Sequence, residues 1–329
     1  KRLNFCAAFW LKTLERRKFP VLKLIALASP RSAGTKIEYA GEEITVQAVD
    51  ENSFDGVDIA LFSAGGSTSK KWAPIATKAG AIVIDNSSAW RMDTDVPLVI
   101  PEINPDDALN HKKGIIANPN CSTIQALMAI WPLHKEASVT YMNISTYQSV
   151  AGTGISAVRA LEEETANFLQ GRKTSDTGVY PHQIAFNLLP HIGSFDEEGI
   201  SEEEWKMVHE SRKIMHLPDL KVSGITVRVP IFRCHGESIT VQFKNKLTPQ
   251  RAREVLASSP GIIVADAPQD NIYPQPILVA EKDEVYVGRI RRDTGLDNAL
   301  AMWVIGDNLL KGAALNAVQI AELLTGYLR

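Results

Sequence analysis

The stretch Val57-Asp58-Ile59-Ala60-Leu61-Phe62 decides the fold class. It is a short apolar, β-rich run, followed by helix-like spacing over Ser69–Ala79 and a second apolar run, Ala81-Ile82-Val83-Ile84. Strand, crossover helix, strand is the signature of a parallel sheet with helices on both faces. Working outward, Val21–Ala28 and Ile115–Ala117 read as further strands and Asn104–Asn110 as a further helical segment. After about residue 138 the texture changes, with longer strand candidates at Val139–Val150, Val222–Val229, Ser238–Phe243, Val285–Arg291 and Leu300–Ile305. Several alternate in polarity, which predicts an antiparallel or mixed sheet open on one face. Helices are expected over Gly154–Leu169, Ser201–Met215, Thr248–Ser258 and Gly312–Leu328.

The chain has 329 residues, enough for about two domains at roughly 150 residues each. Lys and Arg number 35 against 38 Asp and Glu, a net charge of −3. That balance speaks against nucleic acid as a partner, since phosphate neutralisation needs a basic face. No apolar run approaches the ~20 residues that span a bilayer. The three cysteines, Cys6, Cys121 and Cys234, are too few and scattered for a disulfide framework or a zinc site, and no metal is expected. An odd count fits a reducing compartment. Lys1-Arg2 and the apolar Leu3–Leu11 resemble the opening of a signal peptide, but Lys12 and Glu15-Arg16-Arg17 follow directly without a small-residue cleavage site. The segment is therefore read as a helix of a cytoplasmic protein.

Three segments carry candidate chemistry. In Asn118-Pro119-Asn120-Cys121-Ser122-Thr123 a short strand ends at Ala117 and an apolar helix begins just after the cysteine. A thiol at a helix N-terminus meets unpaired N–H groups and the positive dipole end, which lower its pKa. Position alone equally allows a buried cysteine beside an N-cap at Asn120 or Ser122. The second segment, Thr226-Val227-Arg228-Val229-Pro230-Ile231-Phe232-Arg233-Cys234-His235, reads as a strand carrying two arginines and then a histidine. That combination suggests an anionic ligand beside a proton-transfer group, with Cys234 inert. The third, Ile144–Gly154, is a strand entering a glycine-bearing turn before a helix.

Together these segments resemble the aspartate-β-semialdehyde dehydrogenase family. The resemblance rests on Asn118–Thr123, on Thr146-Tyr147-Gln148 with Val150-Ala151-Gly152, and on Val227–Phe232 with Arg233 and His235. Phe62–Ser67, Asp85–Ser88 with Arg91-Met92, and Pro181–Asn187 extend it, as do Val287–Arg291 and Asp307–Leu309 with Lys311–Ala314. It runs from about Leu11 to the C-terminus. It implies a Rossmann-like NADP-binding domain over residues 1–120 with 311–329, and an α+β catalytic and dimerisation domain with a mixed sheet over 121–310. The implied reaction is NADPH-dependent reductive dephosphorylation of L-aspartyl 4-phosphate to the semialdehyde through a cysteine thioester, in the biosynthesis of lysine, threonine, methionine and isoleucine. The implied partners are that small-molecule substrate, inorganic phosphate, and further copies of the chain in a homodimer or homotetramer.

By the same resemblance Cys121 is the nucleophile, His235 the acid/base group and Gln148 the residue that orients the reacting carbonyl. Arg228 would clamp the substrate α-carboxylate and Glu203 its amine, with Lys206, Arg91 and Asn120 on the phosphate. Without the resemblance Glu203 and Lys206, at i and i+3, would read as a solvated surface ion pair. Arg31 and Ser32 would take the 2′-phosphate of NADP and Ser63, Ala64, Gly65 and Gly66 its backbone. Gly152 and Asn308 match positions beside the nicotinamide. The family's first strand and glycine turn have no counterpart here: Lys1, Asn4 and Ala7 stand where those glycines belong. By this reading the first strand of the Rossmann-like domain is missing, and weak NADP binding is expected. The competing expectation is a non-catalytic or cofactor-deficient relative with the same fold.

Overall fold

The computed structural model describes residues 5–172 and 178–326. The chain forms two compact units, residues 1–119 with 313–329, and residues 120–312.

In the first unit, α1 spans Phe5–Arg16, followed by β1 (Leu27–Ala28), the hairpin β2 (Lys36–Tyr39) and β3 (Glu42–Thr45), and β4 (Gln47–Ala48). Next come β5 (Ile59–Phe62), α2 (Gly66–Lys78), β6 (Ile82–Asp85) and β7 (Ile115–Ala117). The parallel ladder β5-β6-β7 is the expected α/β core. A separate parallel ladder joins β1 to β4. Among the described residues no strand precedes α1; Lys1 and Asn4 lie outside them, and Ala7 falls within α1. The strand expected over Val21–Ala28 shortens to its last two residues, because only Leu27 and Ala28 find ladder partners, Gln47 and Ala48. Asn104–Asn110 is a 3-10 turn over Pro105–Leu109 rather than an α-helix. A C-terminal helix, Leu315–Thr325, lays Ala317, Ile320, Ala321 and Leu324 against Trp10, Ile84, Val99 and Ile116, which form the core of this unit. The expected Gly312 start is taken by a π-helical turn over Leu310–Ala314, and Leu328 lies outside the described residues.

The second unit opens with α3 (Cys121–Ala137), β8 (Val139–Gln148), α4 (Ile155–Leu169) and α5 (Glu202–Ile214). Then follow β9 (Lys221–Ser223), β10 (Thr226–Arg228), β11 (His235–Phe243), α6 (Pro249–Ala257) and β12 (Ile262–Val264). The short α7 (Pro276–Val279), β13 (Val285–Arg292) and β14 (Ala299–Gly306) complete it. The seven-stranded sheet runs β10-β8-β11-β14-β13-β12, with β9 also on β8. Its β8-β11, β11-β14 and β13-β14 pairs are antiparallel and the others parallel, the mixed sheet that the polarity pattern predicts. Helices α3 and α6 pack on one face. The other face presents Tyr147 and Ser238 to solvent.

Two strand expectations are corrected here. Val222–Val229 is broken at Gly224-Ile225 into β9 and β10. The segment Arg228–His235 is not one strand: Arg228 ends β10, His235 begins β11, and a turn lies between.

Candidate active site

Strand register explains why distant residues meet. Arg228 on β10 pairs with Gln148 on β8, and Gln148 pairs with His235 on β11. The three side chains therefore stand abreast at one end of the sheet, and all three residues are buried. The turn that follows β8 closes over them. Ser149 donates its backbone N–H to His235 Nδ1 at 3.0 Å, and its carbonyl accepts Arg228 Nη1 at 2.7 Å. A Cβ at Gly152 would lie 3.2 Å from that Nη1 and 3.4 Å from His235 Nε2, so glycine lets this turn pass close to the imidazole and guanidinium.

An imidazole nitrogen that accepts from a backbone N–H carries no proton, so the neutral ring holds its proton on Nε2. Nε2 is buried and has no hydrogen-bond partner, as has Arg228 Nε. Burial first, and the Arg228 charge second, push the His235 pKa down to about 3 against the opposing influence of Glu203. His235 is thus a neutral ring whose buried Nε2–H has no partner.

Cys121 is the first residue of α3 and is partly exposed. Asn120 caps the helix, its Oδ1 accepting from the N–H groups of Ser122 and Thr123 at 3.0 and 3.2 Å. The cap is itself gripped by α5. Asn120 Nδ2 donates to Glu203 Oε1 (2.8 Å) and its N–H donates to Glu210 Oε2 (2.7 Å). Gln148 Nε2 also donates to Glu203 Oε1, at 3.1 Å, so one carboxylate ties the cysteine turn to the end of β8. Lys206 Nζ lies 3.2 Å from Glu203 Oε2 and 3.3 Å from Glu202 Oε1. Burial works against a charged Glu203, but the Lys206 ammonium and the bonds from Asn120, Gln148 and Lys206 outweigh it and hold the carboxyl below its usual range. The surface-pair reading of Glu203 and Lys206 is corrected: Glu203 is 5 % exposed and bonded on both oxygens.

Other expected residues fall as follows. Asn308 lies 3.2 Å from the Ser149 hydroxyl, its Oδ1 also accepts the Cys234 N–H, and its buried Nδ2 has no partner. Arg233, read as a second anion-binding arginine, instead pairs with the buried carboxylate of Asp307 at 2.7 Å and with Glu281 at 3.0 Å. Cys234 is buried, and desolvation pushes its thiol well above the usual range. In the first unit, Arg91 donates from Nε to the Asn118 carbonyl and from Nη2 to the Asn86 carbonyl, both at 3.0 Å. There Ser63, Ala64 and Gly65 form the turn from β5 into α2, whose first residue is Gly66 and whose N-terminus has no side-chain cap. Arg31 and Ser32 lie in the turn after β1, with Arg31 exposed. Sequence reasoning missed Ser149, Glu210 and Gln125. Glu210 carries a signal, standing seven residues after Glu203 on the same helix face.

Residues 7–111 match the family model described as "Semialdehyde dehydrogenase, NAD binding domain", and residues 130–311 match "Semialdehyde dehydrogenase, dimerisation domain". The chain is 54% identical over 317 residues to an aspartate-semialdehyde dehydrogenase of Aquifex aeolicus, covering 96% of this chain and 93% of that one. It is 47% identical over 322 residues to that of Bacillus subtilis, with 95% and 92% covered. Among solved structures, aspartate semialdehyde dehydrogenase II from Vibrio cholerae superposes with a TM-score of 0.94 at 41% identity, covering 98% of this chain and 96% of that one. The same Vibrio enzyme complexed with ASA matches equally well, with a TM-score of 0.94 at 40% identity over the same 98% and 96%.

Proposed function

This chain belongs to the aspartate-semialdehyde dehydrogenase family, and from that premise we propose how its residues divide the reaction. It is an NADP-dependent oxidoreductase that converts L-aspartyl 4-phosphate to L-aspartate 4-semialdehyde and phosphate. The observation that carries the assignment of roles is the register that sets Arg228, Gln148 and His235 abreast.

Cys121 attacks the acyl carbon as the thiolate. The helix dipole favours that form, and Asn120, by capping α3, holds the sulfur at the helix entrance. The bond from the acyl carbon to the phosphate oxygen breaks, phosphate leaves with the electron pair, and a thioester forms on Cys121. Gln148 orients the acyl group. His235 Nε2–H donates to the acyl oxygen as negative charge builds there, the role a neutral imidazole plays when it polarises a carbonyl. Arg228 takes the α-carboxylate through a planar guanidinium already anchored on Ser149, and Glu203 takes the α-amine. Lys206 and Asn120 serve the phosphate. Arg91, its guanidinium fixed by two backbone carbonyls, is assigned to the same anion.

The residues present fit a nicotinamide dinucleotide. Asn308 offers a buried donor without a partner, suited to a carboxamide oxygen, and Gly152 places no side chain against His235 and Arg228. Ser63, Ala64, Gly65 and Gly66 lead into the uncapped start of α2, a place for the dinucleotide backbone, and Arg31 with Ser32 would hold the 2′-phosphate. When bound, NADPH supplies the hydride that reduces the thioester carbon. The dimerisation-domain match supports an oligomer, which we assign as a homodimer or homotetramer, and residence in a reducing cytoplasm fits Cys121 and Cys234 standing outside any disulfide. No helix of the described residues is long and apolar enough to cross a membrane.

The test is spectrophotometric, in the reverse direction: L-aspartate 4-semialdehyde, phosphate and NADP are mixed and NADPH is followed. Sustained turnover that requires phosphate supports the reading. Sustained turnover without phosphate, releasing free aspartate, would instead mean that the enzyme hydrolyses its thioester.

A further inference from the structure

Behind the residues assigned above sits a buried carboxyl that the mechanism does not use. Glu237 follows His235 by two residues on β11, so both side chains project from the same face of the sheet. Glu237 is 0 % exposed, and neither of its oxygens has a hydrogen-bond partner. Its neighbours across the sheet are Thr146 on β8 and Val304 on β14. Helix α3 packs over this face, and the polar side chain that bears on Glu237 from it is Gln125. Gln125 is one helical turn past Cys121, at i+4 on the same side of α3. Its Nε2 donates to the His235 carbonyl at 3.1 Å, while its Oε1 is buried with no partner. Room for this amide depends on Gly306, which stands opposite His235 on β14: a Cβ there would lie 2.7 Å from Oε1.

We propose that Glu237 and Gln125 are positioning residues that brace the His235 end of β11 against the Cys121 end of α3, Glu237 donating its carboxyl O–H to Gln125 Oε1. The inference rests on the roles given above to Cys121 and His235. Gln125 Oε1 and both Glu237 oxygens are buried without a partner, and an ionised carboxylate could not pair with an amide oxygen because both only accept. A carboxylic acid has the missing donor. Turning the amide over would offer Nε2 to Glu237 but set Oε1 against the His235 carbonyl, again acceptor against acceptor. Burial pushes the Glu237 carboxyl well above its usual range, outweighing the opposing influence of the Gln125 amide. The titratable residues of the packed elements, His235 on β11, Cys121 and His134 on α3, and Tyr141 and Tyr147 on β8, include no lysine or arginine that bonds it. The α3 pair Lys135 and Glu136 lies in the last turn of that helix, about three turns from Gln125. The chain of bonds thus runs from Glu237 through Gln125 to the backbone of His235 and fixes the imidazole relative to the nucleophile's helix. Displacing reacting groups by about 1 Å can cost of the order of a hundredfold in rate.

The test uses the full-length enzyme and the variants Glu237→Gln, Glu237→Leu, Gln125→Leu and the Leu double. Glu237→Gln keeps a donor for Oε1 and is expected to hold kcat within about threefold of wild type. Glu237→Leu and Gln125→Leu are each expected to lower kcat about ten- to a hundredfold with KM little changed, and the double to fall no further than the worse single. Without substrate or cofactor, the wild type should show a protonated-carboxyl infrared band at pH 8 that Glu237→Gln lacks. Glu237→Gln should also gain thermal stability over wild type as pH rises from 5 to 8, because it removes a carboxyl that folding keeps protonated. Loss of kcat in Glu237→Gln equal to that in Glu237→Leu, additive losses in the double, or no such band would overturn the proposal. The infrared and thermal readings need no turnover. A wild type that shows the band but fails to reduce NADP would refute the reaction assigned above and leave the brace standing.

Discussion

Replacing His235 with asparagine should change how stability depends on acid as well as how fast the enzyme turns over. The ring accepts a backbone N–H on Nδ1 and is fully enclosed, and its pKa falls from an ordinary 6.5 to about 3. A lowered folded value means that the unfolded chain takes up the proton first. The neutral histidine's contribution is therefore intact above pH 6.5 and is lost progressively as pH falls towards 3. At pH 5 the loss amounts to about 2 kcal/mol relative to pH 8, at about 1.4 kcal/mol per pH unit. Asparagine cannot titrate. In urea unfolding at pH 8 and pH 5, the stability difference between His235→Asn and wild type should shift by about 2 kcal/mol in favour of the variant on acidification. The other titrating groups are common to both proteins and cancel. Imidazole nitrogen NMR of the wild type should show Nε2–H unchanged from pH 8 to 5. A pH-independent stability difference, or an imidazole that titrates between pH 6 and 7, would refute the neutral-donor role.

Cys121→Ala should abolish turnover, whereas Cys6→Ala and Cys234→Ala should retain most of it in the same spectrophotometric assay; Cys121→Ala activity within about tenfold of wild type would remove it as nucleophile. Arg228→Lys should raise KM about ten- to a hundredfold in steady-state kinetics, since an ammonium cannot match the two-point carboxylate contact and also loses the Ser149 anchor. Gly152→Ala places a methyl 3.2 Å from the Arg228 guanidinium and 3.4 Å from His235 Nε2. It should lower kcat/KM about tenfold while circular dichroism shows an unchanged fold.

The sequence shows some parts of this molecule clearly and hides others. The β5–α2–β6 unit is legible because its strands pair in parallel and read as short apolar runs on either side of a helix-spaced segment. The hairpin β2–β3 is hidden in the sequence, since its residues are only exposed or half-buried and Glu38, Glu42 and Glu43 mask the strands. In the longer sheet the strand pattern survives, but the apolar run that includes Gly224 conceals a break. At the site, Cys121 is marked by its own helix start. By contrast, the meeting of Gln148, Arg228 and His235 follows from ladder register, a tertiary property. Ser149 orients His235 through a main-chain N–H, which any residue type supplies, and Gln125 reads as one more position of an almost wholly buried helix. Arg233 shows the converse, an arginine in a promising motif that serves a buried carboxylate of the scaffold.

The central claim is that Cys121 carries the acyl group, and trapping tests it most directly. Enzyme is mixed with L-aspartate 4-semialdehyde and saturating NADP with phosphate withheld, quenched in acid, digested and examined by mass spectrometry. The account predicts a burst of about one NADPH per active site and one aspartyl group on the peptide containing Cys121, discharged when phosphate is added before the quench. An aspartyl group on another residue, or full phosphate-dependent turnover with no adduct trapped at Cys121, would contradict it.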